Sequence, residues 1–435
     1  MRRPISKVPV GAGEKCQKGS PAVATVKSVK ITASIDNGNN NSGGSSNNNS
    51  RRKESTMYKN LLDTPKLGFG LMRLPTLEGR PDEIDYEQVC RMVDMFMEAG
   101  LTYYDTAYVY GKDGASERAA KACLVDRYPR ESFTLATKIN AWLMAEDEQA
   151  ARAQFYTSLE RTGAGYFDYY LLHAIQSNTF RKYDEYHLWD YVADLKKQGL
   201  VKNMGFSFHA SPDLLDRVLT EHPEVDFLQL QINYADWENP SVTARANYEV
   251  ARRHNKPIVV MEPVKGGTLA NPPAPVREIL EAADPGASMA SWAIRYVASL
   301  PGILTVLSGM SNVEQMADNL SYMKKEAFRP LDEAEQETIR RAQAALAAIP
   351  SIPCTGCNYC APGCPMNIPI PDIFEARNKQ MVYGKMEEGQ RSYDWDTKEK
   401  GKASDCIECG QCEGACPQRI HIIERLQDCA AVFDR

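Results

Sequence analysis

The sequence has no long apolar segment, and this absence argues against a membrane protein. None of its apolar runs approaches the roughly 20 residues that a helix needs to span a bilayer. The opening Met1-Arg2-Arg3 is not followed by an apolar stretch of signal-peptide length. We therefore expect neither a membrane association nor a twin-arginine export signal.

The sequence also lacks an excess of positive charge. Its formal net charge is −6, and no long stripe of Lys and Arg appears in its 435 residues. This composition argues against a generic nucleic-acid binder. Hydrophobic residues make up 43% and charged residues 25%, which is typical of a soluble protein with a sizeable core and room for two or three domains.

A disulfide framework is missing as well. Eight of the twelve cysteines fall in two clusters near the end of the chain, whereas the pairs of a secreted framework would be spread along it. Only Cys16, Cys90, Cys123 and Cys429 are scattered. The cysteine usage favours a reducing compartment, and we expect a cytoplasmic protein.

Composition divides the chain into three parts. The tract 37–50 contains only Asn, Gly and Ser. Such a tract buries too little apolar surface to offset the entropy that it would lose on ordering. We predict a disordered extension over residues 1–56, with Met57 as a candidate natural start. Pro350 and Pro353 end a solvated helix, so we predict one domain over residues 57–349 and a second over residues 350–435.

The first domain alternates strand-like and helix-like segments. The first helical stretch carries Val89, Met92, Val93, Phe96 and Met97 on one face. Eight strands, each followed by a helical stretch, predict a (β/α)8 barrel. The alternative is a doubly wound open sheet, which usually starts with a GxGxxG turn that GFGLMR lacks. The predicted strands are KLGFGLMRL, LTYYDTA, FTLATKI, DYYLLHAI, VKNMGFSF, DFLQLQINY, KPIVVMEPV and ILTVLSGM.

The second domain repeats the run C-x2-C-x2-C-x3-C-P. In such runs three cysteines bind one [4Fe–4S] cluster and the fourth binds the other cluster. We therefore predict two clusters in a ferredoxin-like domain. One is held by Cys354, Cys357, Cys360 and Cys416, and the other by Cys406, Cys409, Cys412 and Cys364. Zinc is the alternative, but zinc sites favour C-x2-C pairs separated by a longer loop. The segment PDIFEARNKQMVYG between the runs is predicted to be an inserted helix.

Four motifs of the first domain resemble the aldo-keto reductases. They are DTAYVYG at 105–111, TK at 137–138, DYYLLH at 168–173 and GMSNVEQMADN at 309–319. They occur in family order across nearly the whole predicted barrel. GFSFH at 205–209 and the cysteine-rich tail resemble one subgroup of that family, whose members carry a ferredoxin-like domain.

The resemblance implies a catalytic tetrad of Asp105, Tyr110, Lys138 and His173. Each lies at or just beyond the carboxyl end of a predicted strand, where barrel enzymes carry their chemistry. A tyrosine with a pKa of about 10 is a poor acid at neutral pH, so we expect the Lys138 ammonium to lower that pKa. Asp105 would hold Lys138, and His173 would polarise the substrate carbonyl. Any one of these residues alone is more often structural, and Tyr108 is expected only to pack.

The resemblance further implies a nicotinamide nucleotide, NADP(H) or NAD(H). Ser207 and Gln231 would contact its carboxamide and Asn319 its adenine. The turn before the helix that begins near Asn312 offers N–H groups to a phosphate. The turn consists of Ser308, Gly309, Met310 and Ser311, and Gln315 in the helix lies close to it in sequence. Phe208, Met261 and Gln315 depart from the family pattern. Gln315 replaces the usual Arg, a good phosphate ligand, so the choice between NADP and NAD stays open.

These features predict an oxidoreductase that reduces a small carbonyl compound or oxidises the alcohol. Its clusters would exchange electrons with a carrier protein or with an internal step, and a flavin is compatible but not indicated. The clusters could instead be structural. A third hypothesis is a nucleotide-binding, redox-sensing barrel with little turnover. The other histidines His187, His209, His222 and His254 form no closely spaced pair, so no mononuclear metal is predicted.

Overall fold

The computed structural model describes residues 64–240, 242–324 and 326–434. The predicted extension, residues 1–56, lies outside the described residues, and its disorder stays a prediction. Within the described ranges, no helix has both the length and the apolar character needed to cross a membrane.

Eight parallel strands close into a barrel, as the sequence predicts. The barrel closes because its first strand pairs on both sides, with Gly68 opposite Tyr103 in one neighbouring strand and opposite Leu307 in the other. The alternative of an open sheet is therefore wrong. The barrel strands are β1 Leu67–Gly70, β4 Tyr103–Asp105, β5 Thr134–Ile139, β6 Phe167–Ile175, β7 Val201–Phe208, β8 Phe227–Gln231, β9 Ile258–Met261 and β10 Ile303–Ser308. Seven predicted strand segments contain a barrel strand, and β6 begins one residue before its predicted segment DYYLLHAI.

An antiparallel hairpin follows β1 and was not expected from the sequence. It consists of β2 Thr76–Leu77 and β3 Arg80–Ile84. The segments TL and RPDEI are mostly polar, so no apolar alternation marks them in the sequence.

Capping side chains fix where several barrel helices begin. Asp85 accepts a hydrogen bond from the N–H of Gln88 at 3.0 Å, and Asn312 accepts one from Gln315 at 2.8 Å. The predicted apolar face of the first helix is buried, except that Met97 is only partly buried. The helices of this domain are Tyr86–Glu98, Ala115–Ala120, Glu148–Thr162, Phe180–Glu185, Leu188–Lys197, Pro212–Glu221, Ala244–Arg253, Ala274–Ala283, Met289–Ala298, Val313–Met323 and Glu333–Ala347.

Three aromatic side chains, together with Ala136 and four larger aliphatic residues, fill the barrel interior. The ring centroids of Tyr103 and Tyr169 lie 4.8 Å apart, and those of Tyr169 and Phe227 lie 5.2 Å apart. Gly205 leaves room for this packing, since a Cβ there would lie 2.5 Å from the Phe227 ring. Side chains alternate along a strand, so positions two or four residues further on also point inward, nearer the carboxyl ends. These positions are Asp105, Lys138, His173, Ser207, Gln229 and Gln231.

The C-terminal domain has an apolar core of its own. That core contains residues from Ile352 to Phe433, whereas the apolar clusters of the barrel contain none beyond Leu346. The predicted inserted helix is present as Ile370–Tyr383. A second inserted helix, Met386–Asp396, was not predicted, and Gln411–Ala415 and Ile422–Phe433 complete the domain.

Candidate active site at the barrel mouth

We call the carboxyl ends of the barrel strands, together with the loops that follow them, the barrel mouth. A buried ion pair lies there. The Lys138 Nζ donates to Asp105 at 2.5 Å and to the carbonyl oxygen of Thr106 at 2.7 Å. Gln229 donates to the other Asp105 oxygen at 3.4 Å. Burial raises the pKa of Asp105 and lowers the pKa of Lys138, and the attraction between the two opposes both shifts.

Tyr110 and His173 lie beside this pair. The Lys138 Nζ is 4.7 Å from the centroid of the Tyr110 ring, and the Tyr110 and His173 ring centroids are 5.6 Å apart. Burial, together with the nearby Lys138 and His209, lowers the pKa of His173 well below 6.5, so its imidazole is neutral. The structure thus brings the four predicted tetrad residues into one cluster.

The expected effect of Lys138 on Tyr110 is wrong for this arrangement. Burial raises the pKa of Tyr110 well above 10, Asp105 raises it further, and Arg73 acts in the opposite direction. The ammonium of Lys138 is already paired with Asp105, so little of its charge remains to stabilise a phenolate. The Tyr110 hydroxyl is therefore protonated in this arrangement.

A bulge in β6 aims His173. The pairing of β6 with β7 shifts between Leu172 and Ile175, and Ala174 has a φ of +52°. The N–H of Ala174 donates to the Ser207 hydroxyl oxygen at 2.6 Å. Bulges and positive φ angles often occur at functional sites because they redirect a side chain. Ser207 therefore supports His173, and its own hydroxyl hydrogen remains for a ligand.

The residues predicted to bind the adenine and phosphate end of a nucleotide lie on one side of the mouth. Asn319 is buried, and its Oδ1 has no hydrogen-bond partner among the described residues. A buried acceptor without a partner fits a ligand that donates a hydrogen bond. In the neighbouring turn, the N–H of Ser311 already donates to Gln315 at 2.8 Å. Ser308 and Met310 are buried, and Gly309 is half-buried.

The residue Gln231, predicted to bind the carboxamide of nicotinamide, is not open to a ligand in this structure. Gln231 is buried and exchanges two hydrogen bonds of 2.8 Å with Gln418 of the C-terminal domain. Its Nε2 also donates to Asp236 at 3.0 Å. The Gln231 amide is thus paired within the chain, and its N–H groups do not face an open site.

The eight clustered cysteines line two cavities. Among the residues that line one cavity are Cys354, Cys357, Cys360 and Cys416. Among those that line the other are Cys364, Cys406, Cys409 and Cys412. The structure therefore groups each fourth cysteine with the three cysteines of the other run.

Four cysteines line each cavity, which is the number of thiolates that a [4Fe–4S] cluster takes. Among the described residues, no three His, Cys, Asp or Glu side chains are close enough together to hold a single metal ion. A cubane spreads its thiolate ligands over four iron atoms, whereas zinc draws four ligands around one centre. The two cavities fit clusters better than zinc.

The C-terminal domain covers the barrel mouth. The hydroxyl of Tyr359, between two cysteines of the first run, lies 3.2 Å from Nε2 of His173. A Cβ on Gly266, where φ is +62°, would lie 2.4 Å from the carbonyl oxygen of Thr355, so glycine permits the close approach of the two domains. Sequence reasoning missed Tyr359 and Gln418, because cysteine spacing carries no information on which neighbouring side chains reach the barrel.

Comparisons with known proteins agree with both parts of the chain. The family model described as "Aldo/keto reductase family" matches residues 66–343, and that described as "4Fe-4S dicluster domain" matches residues 353–421. An aldo-keto reductase of Mycolicibacterium smegmatis is 29% identical over 251 residues, which is 57% of this chain and 81% of the relative.

Solved structures share the barrel. An aldo-keto reductase from Klebsiella pneumoniae in complex with NADP and acetate is 18% identical, with a TM-score of 0.52 over 64% of this chain and 91% of that one. An aldo-keto reductase from Bacillus halodurans, in its holo form, is 22% identical, with a TM-score of 0.51 over the same shares. At these identities the likeness shows the fold.

Proposed function

Because the chain belongs to the aldo/keto reductase family, we propose that it is an NAD(P)(H)-linked oxidoreductase that reduces a small carbonyl compound or oxidises the alcohol. We further propose that its 4Fe-4S domain carries two clusters, which would exchange with the bound nucleotide the two electrons of the hydride, one electron each, with the accompanying proton passing to or from solvent. The observation that carries the proposal is the cluster of Tyr110, His173 and the buried Lys138–Asp105 pair at the barrel mouth.

Each of these side chains has a role in carbonyl reduction. Hydride addition to the carbonyl carbon leaves a negative oxygen that must receive a proton. Tyr110 supplies this proton, because its phenol is protonated and the alkoxide oxygen is a stronger base than the phenolate. The neutral His173 polarises the oxygen by hydrogen bonding, and Asp105 holds Lys138 beside the Tyr110 ring. Lys138 in turn compensates the buried charge of Asp105 and donates to the carbonyl oxygen of Thr106.

The nucleotide supplies the hydride when it is bound. The unpartnered Oδ1 of Asn319 supports binding of its adenine end. Gln315 is exposed and offers no positive charge for a 2′-phosphate, so the proposal covers NADP(H) and NAD(H) alike.

The two cysteine cavities differ in what lies beside them. Tyr359, between two cysteines that line one cavity, reaches His173. At the other cavity Cys409 is exposed, and Ile407 is 59% exposed. This order supports a route from an electron-carrier protein, through the exposed cavity and then the covered one, to the barrel mouth. Reduced thiolate ligands fit the cytoplasmic location that we also propose.

One observation favours a second function. Gln418 and Tyr359 cover the mouth and pair with Gln231 and His173. A permanently covered mouth would suit a nucleotide-binding, redox-sensing barrel with little turnover. Turnover on any carbonyl substrate separates the two functions.

The test replaces the proton donor. Tyr110→Phe removes only the hydroxyl, so kcat for carbonyl reduction should fall at least about 100-fold while nucleotide affinity is kept. Turnover is measured on a panel of aldehydes and ketones with anaerobically purified protein.

Tyr108→Phe is the matched control. Its ring packs against Arg161, with the guanidinium carbon 4.4 Å from the ring centroid, and the substitution keeps this contact. Its kcat should stay within about twofold of the parent. Equal turnover in Tyr110→Phe and the parent would show that Tyr110 is not the acid.

A further inference from the structure

The C-terminal domain extends a carboxamide into the barrel mouth. Gln418 follows Cys416-Pro417 and is only 3% exposed. It pairs with Gln231 through two reciprocal hydrogen bonds of 2.8 Å. A primary carboxamide has a donor edge and an acceptor edge, and the amide of nicotinamide presents the same two edges. Gln418 therefore offers Gln231 the chemical group that a bound nicotinamide would offer.

The pairing uses up the donors of Gln231. A glutamine amide has two N–H groups. One donates to Gln418 and the other to Asp236, which also accepts from Asn233 at 2.8 Å and pairs with the buried Lys265. No N–H of Gln231 is left for a nicotinamide carbonyl while Gln418 stays in place.

A second side chain of the same domain, Tyr359, occupies the position beside His173 where the substrate carbonyl is expected. The hydroxyl of Tyr359 lies where it can hydrogen-bond Nε2 of His173, at 3.2 Å. Its ring centroid is 6.1 Å from that of Trp142. An oxygen at this position stands in for the substrate carbonyl oxygen that His173 would polarise.

Contacts around the rim hold these two side chains in place. Arg73 donates to the carbonyl oxygen of Thr355 at 3.1 Å, and Asn178 donates to that of Gly414 at 2.8 Å. Arg419, next to Gln418, donates to Thr243 at 3.2 Å. Gln418 thus lies between tethered points of the C-terminal domain and cannot leave Gln231 without local movement of that domain.

We propose that Gln418 and Tyr359 form an internal ligand of the reaction site, and that Gln418 and a nicotinamide carboxamide bind Gln231 in mutually exclusive states of the chain. This inference rests on the proposed function, because it takes the barrel to bind a nicotinamide nucleotide. Nucleotide binding then requires the turn at 416–419 to withdraw, and the apparent affinity is reduced by the fraction of chains that are open.

Nucleotides with and without the nicotinamide ring distinguish this inference from the function itself. The adenine end is expected at Asn319, away from Gln231, so ADP-ribose and its 2′-phosphate can bind without displacing Gln418. NAD⁺ and NADP⁺ must displace it, and being oxidised they cannot reduce the clusters during the measurement. The cluster-loaded full chain should bind the fragment at least as tightly as the corresponding dinucleotide.

Gln418→Ala should tighten dinucleotide binding and leave fragment binding unchanged. The substitution removes two hydrogen bonds that hold the mouth closed, so Kd for the preferred dinucleotide should fall about tenfold. Anaerobic calorimetry measures all four nucleotides on both proteins. The matched control is Gln427→Ala, because Gln427 is exposed and belongs to the same domain, and among the described residues its side chain hydrogen-bonds only Glu408, at 2.7 Å.

Two results overturn the inference in different ways. If fragments bind both proteins and Gln418→Ala leaves dinucleotide affinity unchanged, Gln418 is not a competitor, and the proposed function stands. If none of the four nucleotides binds either protein, the proposed nucleotide chemistry fails and the inference fails with it.

A measurement on the unaltered chain covers the case in which the variant does not fold. Saturating dinucleotide should speed amide hydrogen exchange in the peptide spanning 416–421, whereas the fragment should not. Unchanged or slower exchange at saturation with the dinucleotide contradicts mutually exclusive binding.

Discussion

At the scale of single residues, burial decides the chemistry of the tetrad. Lys138 and Asp105 are both almost fully buried, so their charges are acceptable only because they pair with each other and with Thr106 and Gln229. This pairing neutralises the cation next to Tyr110. The phenol therefore keeps its proton, which suits reduction better than oxidation.

The raised pKa of Tyr110 predicts a different pH dependence for each direction of the reaction. Reduction needs the protonated phenol, which is present at every pH below that pKa, so kcat should show no alkaline fall from Tyr110 between about pH 6 and pH 9. Oxidation needs the phenolate, which is scarce there, so its kcat should rise about tenfold per pH unit. The neutral His173 adds no transition in this range.

Steady-state rates in both directions across this range check the prediction. A reduction rate that falls with an apparent pKa near about 7, and loses that transition in a variant lacking the Tyr110 hydroxyl, would mean that Lys138 does lower the pKa of Tyr110.

The inward direction of three tetrad residues could be predicted from the sequence, whereas the covering of the site by the C-terminal domain could not. Period-two alternation along β4, β5 and β6 points Asp105, Lys138 and His173 to the same side as the aromatic interior. Gln418 and Tyr359 reach the mouth only because a second domain docks there. No local pattern around either residue encodes that docking.

At the scale of elements, the two cysteine runs are interleaved. Each cavity takes three cysteines from one run and the last cysteine of the other. Run spacing and the following prolines were enough to predict this grouping. The helix Met386–Asp396 and the hairpin of β2 and β3 escaped prediction, since neither shows a strong apolar period.

Paired substitutions test the interleaving by iron content. The parent should hold about eight iron atoms per chain, and Cys364→Ser about four. Adding Cys409→Ser should remove no more iron, because both cysteines line one cavity. Adding Cys357→Ser instead should bring iron close to zero.

The control is Cys429→Ala, since Cys429 is buried in the same domain but lines neither cavity. It should keep about eight iron atoms. The reverse pattern, with Cys364→Ser and Cys409→Ser together removing all iron, would mean that each run binds its own cluster.

At the scale of the whole molecule, two parts with separate apolar cores meet at the barrel mouth. The apolar clusters of the barrel end at Leu346, and that of the C-terminal domain begins at Ile352. The buried contacts between the parts include hydrogen bonds such as the pair between Gln231 and Gln418. Polar contacts of this kind can open at modest cost, which suits a mouth that must admit a nucleotide. The predicted boundary between residues 349 and 350 agrees with these cores and stays a prediction.

The central claim is that the barrel mouth and the clusters belong to one electron path. Its most direct test is the addition of NADPH, or NADH, to anaerobic protein that carries oxidised clusters, followed by visible and EPR spectra. We expect the broad cluster absorbance to bleach and the signal of reduced clusters to appear. Clusters that stay oxidised through many rounds of carbonyl reduction, yet are reduced by dithionite, would contradict the claim and leave them a structural role.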